Sequence, residues 1–195
     1  MQRAIGMLAM ALLSLTMTPR AKADVLCDFQ GNLVKNCSFE EGFTNWYGTT
    51  TTDNHNGIDG FGPAYGNGGE VYLGSYGIDT LSQMLDTVPG QEYMIAFTLL
   101  NYTDSPPVFY PNSFTVTFGG DTVFTYPAGR TGLTWYGASA IASGPHTELS
   151  FNSRNAGGYF FLDSVSVDPT PEPGSLLLLG TGIASLAAMA RRRLT

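Results

Sequence analysis

The stretch from Asp24 to Thr170 is predicted to fold as an all-β sandwich of two sheets. Glycine, threonine, tyrosine and phenylalanine are abundant while charged residues make up only 13% of the chain. None of this stretch keeps the i, i+3, i+4, i+7 apolar spacing that a packed helix needs. Short runs rich in β-branched and aromatic residues recur instead, separated by Gly, Pro and Asn turn signals, which is the pattern of many short antiparallel strands.

The strands are read in chain order. Leu33 to Phe39 opens the series, and Thr49 to Gly69 follows as the longest strand-free stretch. Strands are then expected at Glu70 to Gly74, Thr80 to Asp86 and Glu92 to Asn101. Alternation is clearest at Phe114-Thr115-Val116-Thr117-Phe118, where the apolar residues share one face and the threonines the other. Gly119-Gly120-Asp121 reads as a hairpin turn and Thr122 to Tyr126 as the return strand. Leu133 to Ser143, Glu148 to Asn152 and Tyr159 to Val167 complete the set.

Both termini read as addresses and not as fold. Arg3, the apolar run Ala4 to Leu15 and the small-residue site Ala21-Lys22-Ala23 mark residues 1–23 as a signal peptide cut by signal peptidase before Asp24. At the other end Pro171-Glu172-Pro173 precedes an apolar run, Gly174 to Ala190, closed by Arg191-Arg192-Arg193. As a helix that run spans ~25 Å, within the lower range for a membrane span. The arginines would stay cytoplasmic, leaving everything before Pro171 outside. This order resembles the PEP-CTERM sorting signal of bacterial exported proteins. The resemblance implies a single transmembrane helix at 174–190, recognition by a membrane-embedded exosortase, and cleavage near Pro171-Glu172-Pro173. The protein would be held transiently in the inner membrane and then reach the cell surface or the extracellular space.

Residues 24–170 make one domain with a real core. They carry only Lys35, Arg130 and Arg154 against 15 acidic residues, a net charge of −12. That excess excludes nucleic acid as a partner, since no basic patch could displace its counterions. It is compatible with divalent cations and neutral polysaccharides. Cys27 and Cys37 are the only cysteines and lie symmetrically about a Gly31-Asn32 turn signal. A hairpin there would set the sulfurs opposite one another, and an exported chain allows the disulfide.

A second resemblance covers most of residues 32–167. Asn32-Leu33-Val34-Lys35-Asn36-Cys37-Ser38-Phe39-Glu40-Glu41-Gly42, with Trp46 following as a core residue, looks like the opening strand of galactose-binding-like jelly rolls, the fold of many carbohydrate-binding modules. Cys37 stands where that motif usually has glycine. The stretch Leu81-Ser82-Gln83 through Val88-Pro89-Gly90-Gln91-Glu92-Tyr93 is similar to the middle of that fold, and Phe160-Phe161-Leu162-Asp163-Ser164-Val165-Ser166-Val167 to its closing strand. The resemblance implies a structural calcium held by Glu40 and Asp163, tying the first strand to the last, with no other cofactor required.

Asp53, His55 and Asp59 do not meet a calcium-loop pattern and read as a turn cluster. Phe61 and Tyr65 of the same stretch are candidate sugar platforms. Trp135 and Tyr136 are two more, and as strand neighbours they must point to opposite faces. No nucleophile elbow or zinc pattern is present, so the chain is expected not to be an enzyme. The function expected is that of a surface or secreted component of the extracellular polymer matrix that binds carbohydrate. The alternatives are a structural matrix protein without a ligand and a hydrolase of unrecognised site.

Overall fold

The computed structural model describes residues 27, 31–52, 55–60, 69–103, 112–127, 132–171 and 180–183. The signal peptide, Asp53, Phe61, Tyr65, Glu172, Pro173 and Arg191 to Arg193 lie outside the described residues. Of the apolar run 174–190, the described part is Gly180 to Ile183, which is helical. No helix among the described residues is long and apolar enough to cross a membrane.

Nine strands form among the described residues: β1 (Asn56–Asp59), β2 (Glu70–Leu73), β3 (Asp79–Asp86), β4 (Glu92–Thr103), β5 (Ser113–Phe118), β6 (Asp121–Thr125), β7 (Thr134–Ile141), β8 (His146–Arg154) and β9 (Gly158–Pro169). One sheet runs β1-β2-β9-β4-β7 and the other β3-β8-β5-β6. Every pairing is antiparallel. Two antiparallel sheets facing each other over a shared core make the expected jelly-roll sandwich.

Period-two alternation fills the core. Phe114, Val116 and Phe118 of β5 point inward while Ser113, Thr115 and Thr117 are half-buried on the outside. On β4, Tyr93, Ile95, Phe97 and Leu99 do the same. Strand β9 is buried throughout from Phe160 to Val167, and the residues it sends into the hydrophobic core run Phe160, Leu162 and then Val165, Val167. The step from 162 to 165 is a β-bulge: the β4–β9 register jumps between Ala96 and Thr98, and Ser164 takes a left-handed φ of 56°. One extra residue on β9 returns the next apolar pair to the core face.

Two sequence expectations need correction. Leu33 to Phe39 is not a strand; Asn36 and Phe39 adopt left-handed φ of 50° and 55°, two turns within four residues that no single bulge accommodates. The segment nevertheless occupies a strand's place beside the second half of β9. Leu33 N–H donates to the Val167 carbonyl (3.0 Å) and Val165 N–H to the Cys37 carbonyl (3.0 Å). The Asn32 amide supplies the remaining bonds, accepting from Val167 N–H (3.0 Å) and donating to the Val165 carbonyl (3.3 Å). Cys27 and Cys37 are paired, with Cα atoms 5.8 Å apart, and Cys37 lies in this irregular segment and not in a strand.

The second correction concerns Thr49 to Gly69. It contains a 3-10 turn at Thr49–Thr51 and the edge strand β1, whose Asn56 to Asp59 pair with Leu73 to Glu70. A four-residue strand with one apolar side chain, Ile58, has no readable period. Pairing with β2, and the buried hydrogen bond from Asn56 Nδ2 to Asp79 Oδ2 (2.6 Å), define it instead.

Candidate ligand-binding face

The outer face of the five-stranded sheet gathers aromatic side chains from four strands. Register sets Tyr72 of β2 opposite Phe161 of β9, and Phe161 opposite Leu100 of β4. One pair further along, Tyr159 of β9 faces Tyr102 of β4. Directly opposed residues share a face, so these rings form one patch. Tyr72 and Tyr159 meet edge to face at 5.7 Å, and Tyr159 lies 6.1 Å from Phe161. Trp135 of β7 stands opposite Thr98 on the same face, half exposed at 50%. Tyr159 and Tyr102 are exposed at 42% and 38%.

Two glycines give the rings room. A β-carbon on Gly57 would collide with the Tyr72 ring, and one on Gly74 with the Tyr159 ring. Both rings therefore lie down across a neighbouring bare backbone and do not stand off the sheet. Phe161 is buried at 8% and Tyr72 is half-buried, so the apolar surface open on this face is that of Tyr102, Tyr159 and Trp135.

The other candidates from sequence are distributed differently. Tyr136 points away from Trp135, into the core, with its ring 5.9 Å from Phe97 and 5.0 Å from Phe124. Trp46 is core, as expected, with its ring 5.1 Å from Phe39 and its Nε1–H donated to the Asn36 carbonyl at 3.1 Å. The patch residues Tyr72, Tyr102 and Tyr159 were missed. Like Trp135 and Tyr136, Tyr159 and Phe160 are adjacent aromatics that a strand points to opposite faces, Phe160 to the core and Tyr159 outward.

Glu40 and Asp163 come to the same end of the β2–β9 pair. Glu40 is exposed and its Oε1 accepts from Gly69 N–H at 3.2 Å, just before β2. Asp163 is buried next to Leu162, the residue opposite Val71, and its Oδ1 accepts from Ser164 N–H at 2.6 Å. Glu70, also buried, pairs with Asp59 in the adjacent register position. Among the described residues no three His, Cys, Asp or Glu side chains converge into a group that could hold a metal ion. Calcium at this end would thus take most of its six to eight oxygens from backbone carbonyls and water.

Fold and face together describe a jelly-roll sandwich with aromatic side chains gathered on the outer face of one sheet. The chain carries the PEP-CTERM protein-sorting motif over residues 169–193, which marks it as exported and targeted to the cell surface. No curated protein matches the chain in sequence. Among solved structures it is similar to TmCBM61 in complex with beta-1,4-galactotriose, at 16% identity and a TM-score of 0.52, covering 72% of this chain and 100% of that one. It is also similar to the Clostridium thermocellum xylanase 10B CBM22-1–GH10 modules complexed with xylohexaose, at 14% identity and a TM-score of 0.55, over 74% of this chain and 29% of that one. A third likeness is to the enzymatically active domain of Bacteriophage CBA120 tailspike protein 4, at 18% identity and a TM-score of 0.49, over 71% of this chain. This chain spans about a fifth (21%) of that tailspike chain. At these identities the shared property is the fold, with carbohydrate-binding modules as its structural neighbours.

Proposed function

We propose that this protein is a non-enzymatic component of the extracellular polymer layer that holds a neutral polysaccharide against the outer face of its five-stranded sheet. The observation that carries the reading is the group of Tyr72, Tyr102 and Tyr159 with Trp135 beside it, the Tyr72 and Tyr159 rings laid across Gly57 and Gly74. Flat rings present the apolar surface that the C–H face of a sugar covers, and the phenols can bond its hydroxyls. A domain of net charge −12 favours a neutral polymer over an anionic one. The neighbours solved with galactotriose and xylohexaose lend the fold-level support that fold alone can lend. Export in this reading uses signal peptidase before Asp24. Transient anchoring by residues 174–190 in the inner membrane follows, and then exosortase cleavage near Pro171.

Affinity electrophoresis of the processed protein through gels containing neutral xylan, galactan or β-glucan tests the reading. At least one polymer should retard the parent chain. Trp135→Ala with Tyr159→Ala should weaken retention by roughly tenfold or more, about 1.4 kcal/mol, with the melting temperature little changed. Absence of retardation by every polymer favours the structural matrix role without a ligand.

We also propose a structural calcium at Glu40 and Asp163. Both residues sit where the opening segment meets the β2–β9 pair, and a cation there would offset the domain's self-repulsion. Calcium at about a hundredfold over Kd should add ~2.7 kcal/mol of stability. Thermal melts should rise in calcium but not in magnesium, and the exposed Glu40→Gln should remove the difference. Identical melts in calcium, magnesium and chelator would count against any specific site.

A further inference from the structure

The chain leaves for its sorting motif at one end of the sandwich, and it leaves without slack. Among the described residues, Thr170 is the last whose hydrogen bonds to the sandwich are seen. Its N–H donates to the Glu92 carbonyl (2.9 Å), its Oγ1 donates to the same oxygen (3.0 Å), and its own carbonyl accepts from Gln91 Nε2 (2.7 Å). The β4–β9 register runs up to Tyr93 opposite Pro169. Exposed Pro171 comes next, and the apolar run begins at Gly174. Residues 171–173 are the whole connection, and the four Cα–Cα steps from Thr170 to Gly174 span ~14 Å at full stretch. Two prolines bias it toward that extended form.

Whatever holds Gly174 at a membrane therefore holds Thr170 within about 14 Å of it. Ile141 sits at this end, opposite Glu92, and Ala142 exchanges backbone hydrogen bonds with Gly90 and Gln91. Val88 lies in the same turn. Val88 and Ile141 are 62% and 67% exposed, and Met94, one pair further along the same sheet face as Glu92, is 46% exposed. Isolated exposed apolar residues are ordinary. These stand at the tip from which the tail departs. Glu92 and Asp168 at the same tip disfavour an anionic surface.

We propose that the Val88–Ile141 tip rests on the zwitterionic lipid of the membrane's outer leaflet while the sorting tail is still attached. The Gln91–Glu92 clamp on Thr170 enforces that contact. The inference rests on the reading that the apolar run lodges in the membrane before cleavage. Cleavage then frees the tip along with the tail, so the contact belongs to the precursor and not to the mature protein.

The test uses the full-length, uncleaved chain in phosphatidylcholine vesicles, carrying an environment-sensitive fluorophore on Val88→Cys or on Thr134→Cys. Thr134 is exposed and begins β7, at the far end of the strand from Ile141. The Val88 label should shift to the blue on vesicle binding and the Thr134 label should not. Inserting a Gly-Ser linker of about 20 residues, mean span roughly 25 Å, between Thr170 and Pro171 should abolish the Val88 shift while the chain still floats with the vesicles. Equal emission from the two labels on floating chains overturns the proposal alone, as does a Val88 shift that survives the linker. A chain that fails to float overturns the anchoring reading, and this proposal with it.

Discussion

Phe97→Ala should destabilise the domain by roughly 3–5 kcal/mol, a large share of what a domain this size has to lose. Phe97 is fully buried at the centre of the aromatic core. Its ring lies 6.0 Å from Phe114, 5.5 Å from Phe151, 5.3 Å from Phe124 and 5.9 Å from Tyr136. Those neighbours come from β5, β8, β6 and β7, so the ring ties both sheets together. Truncation removes the transfer free energy of the ring and also leaves a cavity, which a core of rigid rings cannot close by small rotations. A second effect follows from position: Phe97 is the residue opposite the Ser164–Val165 bulge, between the Ala96 and Thr98 register points. Urea titration should show the lower midpoint with an unchanged slope. A loss under 1 kcal/mol would mean the core is looser than its ring contacts indicate.

Strands were legible in the sequence where one face had to be buried. Phe114 to Phe118 alternates cleanly because its threonines face solvent on the outer side of its sheet, and it lies within one residue of its predicted bounds. β1 was illegible, since its four residues owe their conformation to β2 and to Asn56, whose Nδ2 reaches Asp79 and whose Oδ1 accepts from Gly74 N–H. Leu33 to Phe39 misled for the opposite reason. Its apolar residues do turn inward, Val34, Cys37 and Phe39 all being buried, but at spacings of three and two that left-handed residues make possible. The binding face was half legible. Adjacent aromatics on a strand point to opposite faces, as at Trp135 and Tyr136, but gathering Tyr72, Tyr102 and Tyr159 into one patch needs the strand order β2-β9-β4, and that order is a product of tertiary pairing.

Releasing the opening segment should be the other large effect. Two devices hold it: the Cys27–Cys37 disulfide and the Asn32 amide, whose Oδ1 accepts from both Val34 N–H (2.9 Å) and Val167 N–H (3.0 Å). Replacing both cysteines by serine removes the constraint that a ten-residue closure (sequence separation 10) puts on the unfolded chain, roughly 2–3 kcal/mol in the entropy model. Asn32→Ala strands the Val167 N–H on the side of β9 that no neighbouring strand covers, at a cost of about 1–3 kcal/mol. The two losses should not add. Val165 N–H depends on the Cys37 carbonyl and the Val165 carbonyl on Asn32 Nδ2, so a segment freed at one point is already weakened at the other. A double-mutant cycle by urea titration should give a combined loss smaller than the sum by about 0.5–1 kcal/mol or more. Once the segment lifts, Phe39 and Trp46 lose their cover, and the Trp46 fluorescence should shift toward that of exposed indole in the combined variant. Strict additivity, with Trp46 unchanged in every variant, would show that the disulfide and Asn32 hold separate pieces of chain.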